Sequence, residues 1–155
     1  MRGRTALVLG AGGAAAAVCE GLKRSQAAEL FVAGRTPEKT ACLADRFGGV
    51  AIGLEPEEIR KAAGAADLVV NATSAADAGL LPEGLKLKPG SWACDLAYRP
   101  AKTRFMAEAE AAGAKALGGL DMLVCQAALT WRVWFEENVP ERVTEQVLKE
   151  LRSVP

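Results

Sequence analysis

A glycine-rich turn near the start of the chain constrains the fold more than any other feature. The sequence Gly-Ala-Gly-Gly-Ala-Ala at 10–15 follows a short apolar run, Thr5–Leu9, and opens an alanine-rich helical segment, Gly13–Arg24. A GxGxxA pattern between a strand and a helix is the fingerprint of a turn that holds the pyrophosphate of a dinucleotide. The sequence therefore predicts a mononucleotide-binding unit, with a glycine turn that binds no ligand as the alternative.

Each small residue of this turn has a predicted task. Gly10 permits the tight turn, Gly12 lets the backbone approach a phosphate, and Ala15 keeps the helix close to the strand. The start of the helix, at Gly13 and Ala14, offers unpaired N–H groups and the positive end of the helix dipole to the phosphates.

Short strands and helices alternate along the rest of the chain. Further strands are predicted at Glu29–Ala33, Val50–Gly53, Asp67–Asn71, Ser91–Asp95 and Lys115–Leu117. Further helices are predicted at Pro37–Phe47, capped by Thr36, and at Pro56–Ala63, Thr103–Ala112, Asp121–Glu136 and Pro140–Leu151. This order predicts an α/β fold: a Rossmann-type doubly wound parallel sheet of about six strands with helices on both faces and two C-terminal helices. We expect residues 1–155 to form one domain.

The end of the second predicted strand carries a cation where NAD-binding proteins usually have an acid. About 20 residues past the glycines, an Asp or Glu commonly holds the ribose hydroxyls of NAD. This chain has Gly34-Arg35-Thr36 there, with Lys39 one helical turn later. Because a guanidinium binds a phosphate bidentately, Arg35 predicts a preference for NADP over NAD. An exposed loop arginine without a ligand is the alternative.

Charge and composition exclude several other classes of function. The net charge is zero and the pI is about 6.4, which gives no electrostatic basis for binding nucleic acid or an anionic membrane. The chain has no histidine and no close cysteine pair, so we expect no metal site. Cys19, Cys42, Cys94 and Cys125 are predicted to be reduced and buried, as in a cytoplasmic protein.

Several segments together resemble a known family. They are GAGGAAAAV at 10–18, Arg35-Thr36, Asn-Ala-Thr-Ser at 71–74, Asp-Leu-Ala-Tyr-Arg-Pro at 95–100 with Thr103, and GGLDMLVCQAA at 118–128. In this order they resemble the shikimate dehydrogenases and the related quinate/shikimate dehydrogenases. The resemblance covers nearly the whole chain and implies the C-terminal NADP-binding domain of such an enzyme.

The resemblance also implies roles for individual residues. Asn71, Thr73 and Ser74 would line the nicotinamide end of the cofactor, and the backbone near Gly119 and Met122 would close around it. Tyr98 would lie near the substrate cleft, and Gln126 would touch substrate hydroxyls. Structural alternatives stay open for the last two: Tyr98 as a half-buried packing residue and Gln126 as a buried amide bonded to backbone.

Some positions depart from the family pattern. Gly34 stands where an asparagine is typical, and Ala16 stands where an arginine is common. After residues 71–74 the family usually has a glycine and a large apolar residue, where this chain has Ala76 and Asp77. Phe135-Glu136 replaces the usual Thr-Gly pair.

The resemblance further implies that a substrate-binding domain is missing. Family members carry an N-terminal domain of roughly a hundred residues that binds shikimate and supplies a Lys–Asp acid–base pair. This chain begins at the first Rossmann strand, so we expect no catalytic residue within it and contact with a small-molecule substrate only through that domain. In the complete enzyme the reaction would be hydride transfer between NADPH and 3-dehydroshikimate, in aromatic amino acid biosynthesis.

Two other functions are compatible with parts of the sequence. The chain could be a stand-alone NADP-binding or interaction module without catalytic activity. An apolar cluster at Trp131, Val133, Trp134 and Phe135 either packs in the core or forms a homodimer or partner-subunit contact. Other NADP enzymes with this fold, such as a glutamyl-tRNA reductase or a methylene-tetrahydrofolate dehydrogenase, are disfavoured by the segment at 118–128.

Overall fold

A six-stranded parallel sheet forms the centre of the protein in the computed structural model, which describes residues 1–74 and 79–153. The strand order is β3-β2-β1-β4-β5-β6, and every neighbouring pair is parallel. The strands are β1 Thr5–Leu9, β2 Glu29–Ala33, β3 Val50–Ile52, β4 Leu68–Asn71, β5 Trp92–Asp95 and β6 Lys115–Leu117.

Helices connect the strands and extend beyond the last one. They are α1 Gly13–Arg24, α2 Pro37–Phe47, α3 Pro56–Ala65, α4 Arg104–Ala111, α5 Leu120–Phe135 and α6 Glu141–Ser153. The predicted doubly wound α/β fold is confirmed, and the predicted element ends agree with the observed ones to within two residues.

Alternate residues of each central strand face opposite sides of the sheet. Leu7 and Leu9 of β1 join a core formed with α3 and α4, in which Phe105 is fully buried. Ala6 and Val8 join a second core formed with α1 and α2. Because side chains alternate along a strand, a run of apolar residues supplies both cores at once.

Asp67, which precedes β4, hydrogen-bonds to the start of β1 and to the loop before β5 at the amino-terminal edge of the sheet. Its carboxylate accepts hydrogen bonds from Lys88 Nζ at 2.6 Å, Arg4 at 3.2 Å and the backbone N–H of Thr5 at 3.0 Å. The Lys88 ammonium and the Thr5 N–H are the main reasons that the pKa of Asp67 is lowered to about 2. This cluster ties the start of β4 to the start of β1.

The last two helices bury little of their apolar surface. Val124 is the one residue of α5 that is buried in the described part of the chain. Arg152 of α6 donates to both carboxylate oxygens of Asp121 in the first turn of α5, at 2.8 and 3.0 Å. The two helices therefore pair with each other while much of their surface faces solvent. None of the described helices is long and apolar enough to cross a membrane.

Thr36 is the N-cap residue of α2, as predicted, although its side chain makes no capping hydrogen bond. The prediction that all four cysteines are buried was wrong for two of them. Cys19 is buried and Cys94 half-buried, whereas Cys42 and Cys125 are exposed. Both exposed thiols lie on helices, and the sequence alone did not show which side of each helix faces the core. All four cysteines are free.

Candidate functional site

The strand order reverses between β1 and β4, and the candidate site lies at that point. The carboxyl ends of these neighbouring strands are aligned, with Leu9 opposite Asn71. Connections on either side of such a reversal run away from each other and leave a crevice where ligands bind in open α/β sheets.

The glycines of the turn after β1 differ in the space around them: one is crowded by backbone and two are not. Gly10 has a φ of +115°, and a Cβ there would lie 2.8 Å from the Ala72 carbonyl oxygen. At Gly12 and Gly13, by contrast, a Cβ would meet no described atom within 4 Å. Gly10 therefore lets β1 and β4 approach, and the next two glycines face free space.

The start of α1 presents unpaired amides to that space. The Ala16 N–H donates to the Gly12 carbonyl at 3.0 Å, so the amides of Gly13 and Ala14 precede the first bond of the helix. No acidic residue lies in the first turn of α1. The turn thus combines space, N–H donors and a positive dipole end, and it fits a pyrophosphate.

The loop after β2 places cations beside the turn. Arg35, Thr36 and Lys39 are exposed, and β2 is the neighbour of β1, with Ala33 opposite Leu9. Among the described residues, neither Arg35 nor Lys39 has an ion-pair partner. Because both cations are unpaired, they are available to a phosphate, and this end of the site fits the 2′-phosphate of NADP.

A buried polar network occupies the ends of β4 and β5. The Asp95 carboxylate is fully buried and accepts hydrogen bonds from Asn71 Nδ2 at 3.1 Å, the Ala97 N–H at 3.0 Å and Thr103 Oγ1 at 2.6 Å. Asn71 Oδ1 accepts from both the N–H and the hydroxyl of Thr73, at 3.0 and 2.7 Å. Each carboxylate and amide oxygen of the network is therefore satisfied inside the protein.

Asn71 is the centre of this network. Its side chain has no exposed surface, and it holds the loop that follows β4 through its bonds to Thr73 and Asp95. Thr73 is half-buried and Ser74 is exposed, and both stand where that loop leaves the sheet. Ala76 and Asp77, the next departures from the family pattern, lie outside the described residues.

Asp95 and Thr103 support the candidate site through these bonds, although the sequence predicted no individual role for them. Thr103 Oγ1 also accepts from the Met106 N–H at 3.2 Å and so caps α4. A carboxylate that ends an apolar strand, followed by a threonine before a helix, is the signal that could have indicated the pair. Together they fix the loop that carries Tyr98.

A cleft of about 470 Å³ lies between this loop and the start of α5. Tyr98, Gly118, Gly119 and Arg152 are among the residues that line it. The Gly119 N–H donates to the Ala97 carbonyl at 2.9 Å, and a Cβ on Gly119 would clash with the Leu96 carbonyl. Tyr98 is 48% exposed, so its ring is open to a ligand. Met122, 40% exposed, lies in the first turn of α5.

Gln126 is exposed, so the alternative of a buried amide was wrong. It lines a groove of about 510 Å³ along α5, together with Leu123, Ala127, Thr130, Trp131, Trp134 and Phe135. The Trp131 and Phe135 rings lie 4.4 Å apart, and Trp134 is 73% exposed. The aromatic cluster therefore does not pack in the core.

Two thiols lie on elements that form the site, Cys19 on α1 and Cys94 on β5. Burial raises the pKa of Cys19 to about 11, and burial together with the charge of Asp95 raises the pKa of Cys94. Neither thiol is an activated nucleophile. The described residues contain no group of three or more His, Cys, Asp or Glu side chains that could hold a metal ion.

Comparison with known proteins relates the chain to one group of enzymes. The model of the family described as shikimate/quinate 5-dehydrogenase matches residues 1–87. A shikimate dehydrogenase (NADP(+)) from Moorella thermoacetica is 37% identical over 160 residues, which cover 96% of this chain and 54% of the relative. The chain thus spans about half the length of the curated relatives it matches.

Solved structures agree with the fold. Shikimate 5-dehydrogenase from Thermus thermophilus, in complex with NADP(H) and shikimate, superposes with a TM-score of 0.74 at 39% identity, over 94% of this chain and 54% of that one. Shikimate 5-dehydrogenase from Listeria monocytogenes, in complex with shikimate and NAD, gives a TM-score of 0.86 at 25% identity, over 95% of this chain and 56% of that one.

Proposed function

The chain belongs to the shikimate/quinate 5-dehydrogenase family, and from that membership we propose that it is the NADP-binding part of a shikimate dehydrogenase-like oxidoreductase. The complete enzyme would transfer hydride between NADPH and a cyclic 3-dehydro acid, with 3-dehydroshikimate as the proposed substrate. The observation that carries this proposal is one juxtaposition: the open glycine turn after β1 lies beside the loop after β2, where Arg35 has no ion-pair partner among the described residues.

The proposed cofactor contacts follow the crevice from one end to the other. The turn at Gly10, Gly12, Gly13 and Ala14 binds the pyrophosphate, and Arg35, Thr36 and Lys39 bind the 2′-phosphate. Thr73, Ser74, Gly119 and Met122 surround the nicotinamide, while Asn71 holds this end of the site through Asp95. NADPH, when bound, supplies the hydride.

The relative from Listeria monocytogenes was crystallised with NAD, so membership of the family does not by itself choose the cofactor. For this chain the choice of NADP rests on Arg35 and Lys39. Neither has an acidic partner among the described residues, and both cations would gain a charge-assisted hydrogen bond from a 2′-phosphate.

We propose that the chain alone does not carry the acid–base step. Of the two ion pairs of a described lysine, Lys88–Asp67 lies at the amino-terminal edge of the sheet and Lys102–Glu110 is exposed to solvent. Proton transfer needs a group within hydrogen-bond reach of the substrate. A substrate-binding unit beside Tyr98 and Gln126 would supply it.

The exposed face of α5 and α6 supports a contact with such a unit. Gln126 shares a groove with Trp131, Trp134 and Phe135, so the proposed substrate-side residue and the apolar surface adjoin. The same surface favours the second candidate function, an interaction module without catalytic activity.

Calorimetric titration of the chain with NADP and with NAD tests the proposal. We expect NADP to bind and Arg35→Ala to weaken NADP binding by about tenfold to a hundredfold, the effect of losing charged hydrogen bonds, with NAD binding unchanged. Arg142→Ala, an exposed arginine of α6, is the matched control. Equal losses for both cofactors would refute the role of Arg35. An absence of binding to either cofactor would leave the interaction module as the function.

A further inference from the structure

Gly34 and Thr40 compete for one space on the inner side of the loop between β2 and α2. A Cβ atom on Gly34 would lie 2.5 Å from Thr40 Oγ1 and 3.4 Å from the Cβ atom of Ala11. The φ angle of Gly34 is not in the left-handed region. The space that a side chain at this position would use is therefore taken by the Thr40 side chain.

Thr40 is a polar residue in an otherwise apolar stripe. It is 1% exposed and lies on the buried face of α2 with Leu43, Ala44 and Phe47. Its N–H and its hydroxyl both donate to the Thr36 carbonyl, at 3.0 and 2.9 Å. Since the Thr36 side chain makes no capping bond, Thr40 holds the residue next to Arg35.

The same packing joins this loop to the glycine turn. Ala11, in contact range of Gly34, is the second residue of that turn, and the Gly10 N–H donates to the Ala33 carbonyl at 2.7 Å. The distance between the turn and Arg35 is therefore fixed by a few atoms of residues 10, 11, 33, 34 and 40. A dinucleotide phosphate that contacts both must fit that distance.

We propose that Thr40, together with the space left by Gly34, is a positioning residue that sets the preference for a 2′-phosphorylated cofactor. It acts through the Thr36 carbonyl by fixing the loop that presents Arg35. This inference rests on the proposed function. The competing explanation is that Thr40 makes the ordinary threonine bond to the carbonyl four residues earlier, with no effect on ligands.

Two substitutions of Thr40 separate these explanations in the full chain. Thr40→Val keeps the volume and removes the hydroxyl, whereas Thr40→Ser keeps the hydroxyl. By calorimetry we expect Thr40→Val to weaken NADP binding roughly threefold to tenfold, as for one lost hydrogen bond, while NAD binding is unchanged. Thr40→Ser should bind NADP like the wild type.

A double-mutant cycle tests the shared space. Gly34→Asn alone should weaken NADP binding, because its side chain meets Thr40 and moves the loop, and Thr40→Ala alone is the second single variant of the cycle. Gly34→Asn combined with Thr40→Ala vacates that space and should bind NADP better than Gly34→Asn alone. Effects that simply add would overturn the pairing of the two positions, since residues in contact are expected to be non-additive.

Thermal unfolding of every variant completes the test. An equal loss of affinity for NADP and NAD, accompanied by a lower melting temperature, would assign Thr40 a purely structural role and overturn the inference. Wild-type NADP affinity in Thr40→Val would also overturn it. If the wild-type chain binds neither cofactor, the proposed function fails and this inference falls with it. If only Arg35→Ala changes the preference, this inference alone fails.

Discussion

Glycines in this protein serve two opposite purposes, and single substitutions distinguish them. Gly119 has an ordinary helical backbone but no room for a Cβ against the Leu96 carbonyl. Gly12 has an extended backbone and free space around its missing Cβ. We infer that the first is needed for folding and propose that the second leaves room for the phosphates of a cofactor in the crevice.

We expect Gly119→Ala to lower the free energy of unfolding by about 1–3 kcal/mol, because overpacking displaces backbone. Gly12→Ala should change it by less than about 0.5 kcal/mol, as for a surface substitution, yet weaken NADP binding by crowding the pyrophosphate. Urea unfolding and calorimetric titration of both variants measure the two effects. A stable Gly119→Ala, or undisturbed NADP binding in Gly12→Ala, would contradict the assignment.

Thr103 gives a second prediction at this scale. Its hydroxyl donates to one carboxylate oxygen of buried Asp95 and accepts from the Met106 N–H, so Thr103→Val leaves that oxygen and the Met106 N–H without these partners. Unfolding free energy should fall by about 1–3 kcal/mol. The control is Thr130→Val, which loses one bond to the Gln126 carbonyl on a solvent-facing helix and should cost less than about 0.5 kcal/mol. Similar losses in the two variants would mean that the network adds no stability.

At the scale of elements, Asp67 links the starts of β1 and β4 and makes the fold sensitive to acid. Its pKa in the folded protein is about 2, below the ordinary value of 3.8. A carboxyl with a lowered pKa contributes stability that is complete above the unfolded-state value and is lost as the pH falls through the folded-state value. The contribution of Asp67 should therefore be present above about pH 4 and lost between about pH 4 and pH 2.

Asp67→Asn tests this pH dependence. At neutral pH the variant should melt below the wild type, because Lys88 and Arg4 lose their partner. The two melting temperatures should converge as the pH approaches 2, where the wild-type carboxyl is also becoming neutral. Thermal unfolding across that range provides the measurement, and a difference that does not change with pH would exclude a role for the charge.

The elements themselves were predictable because apolar runs and breakers determine where they begin and end. The sequence did not predict which way individual side chains point. Asn71, predicted at the nicotinamide end of the site, is buried against Asp95, while Gln126, for which a buried amide was the alternative, is exposed. Both outcomes depend on contacts between elements far apart in sequence, such as the 24 residues between Asn71 and Asp95, which periodicity along one segment does not contain.

At the scale of the whole molecule, the face of α5 and α6 is the largest departure from an ordinary surface. Val133, Trp134 and Phe135 are 74%, 73% and 53% exposed, and Val143 and Val147 of α6 are also exposed. Contiguous apolar surface of this kind marks interaction sites in soluble proteins. We propose that a substrate-binding unit packs against this surface.

We expect the isolated chain to associate through this face, with a molar mass that rises with concentration. Trp134→Glu should shift the protein towards the monomer without lowering its melting temperature, because Trp134 packs little against its own chain. Val50→Glu, which replaces an exposed apolar residue on the edge strand β3, should leave association unchanged. Light scattering over a concentration series measures both, and a wild-type chain that stays monomeric throughout would refute self-association.

The hydrogen-bonded groups around Asp67 and Asp95 also fix the register of β4 in the sheet. Strand β4 is apolar on both faces, so sliding it along its neighbours would exchange one apolar side chain for another at small cost. Asp67 accepts a hydrogen bond from the Thr5 N–H at one end of β4, and Asp95 accepts one from Asn71 at the other end. A shift of β4 by one or more residues would break both sets of hydrogen bonds. The hydrogen bonds at the two ends of β4, and not the apolar residues between them, therefore select a single register for the strands that border the crevice.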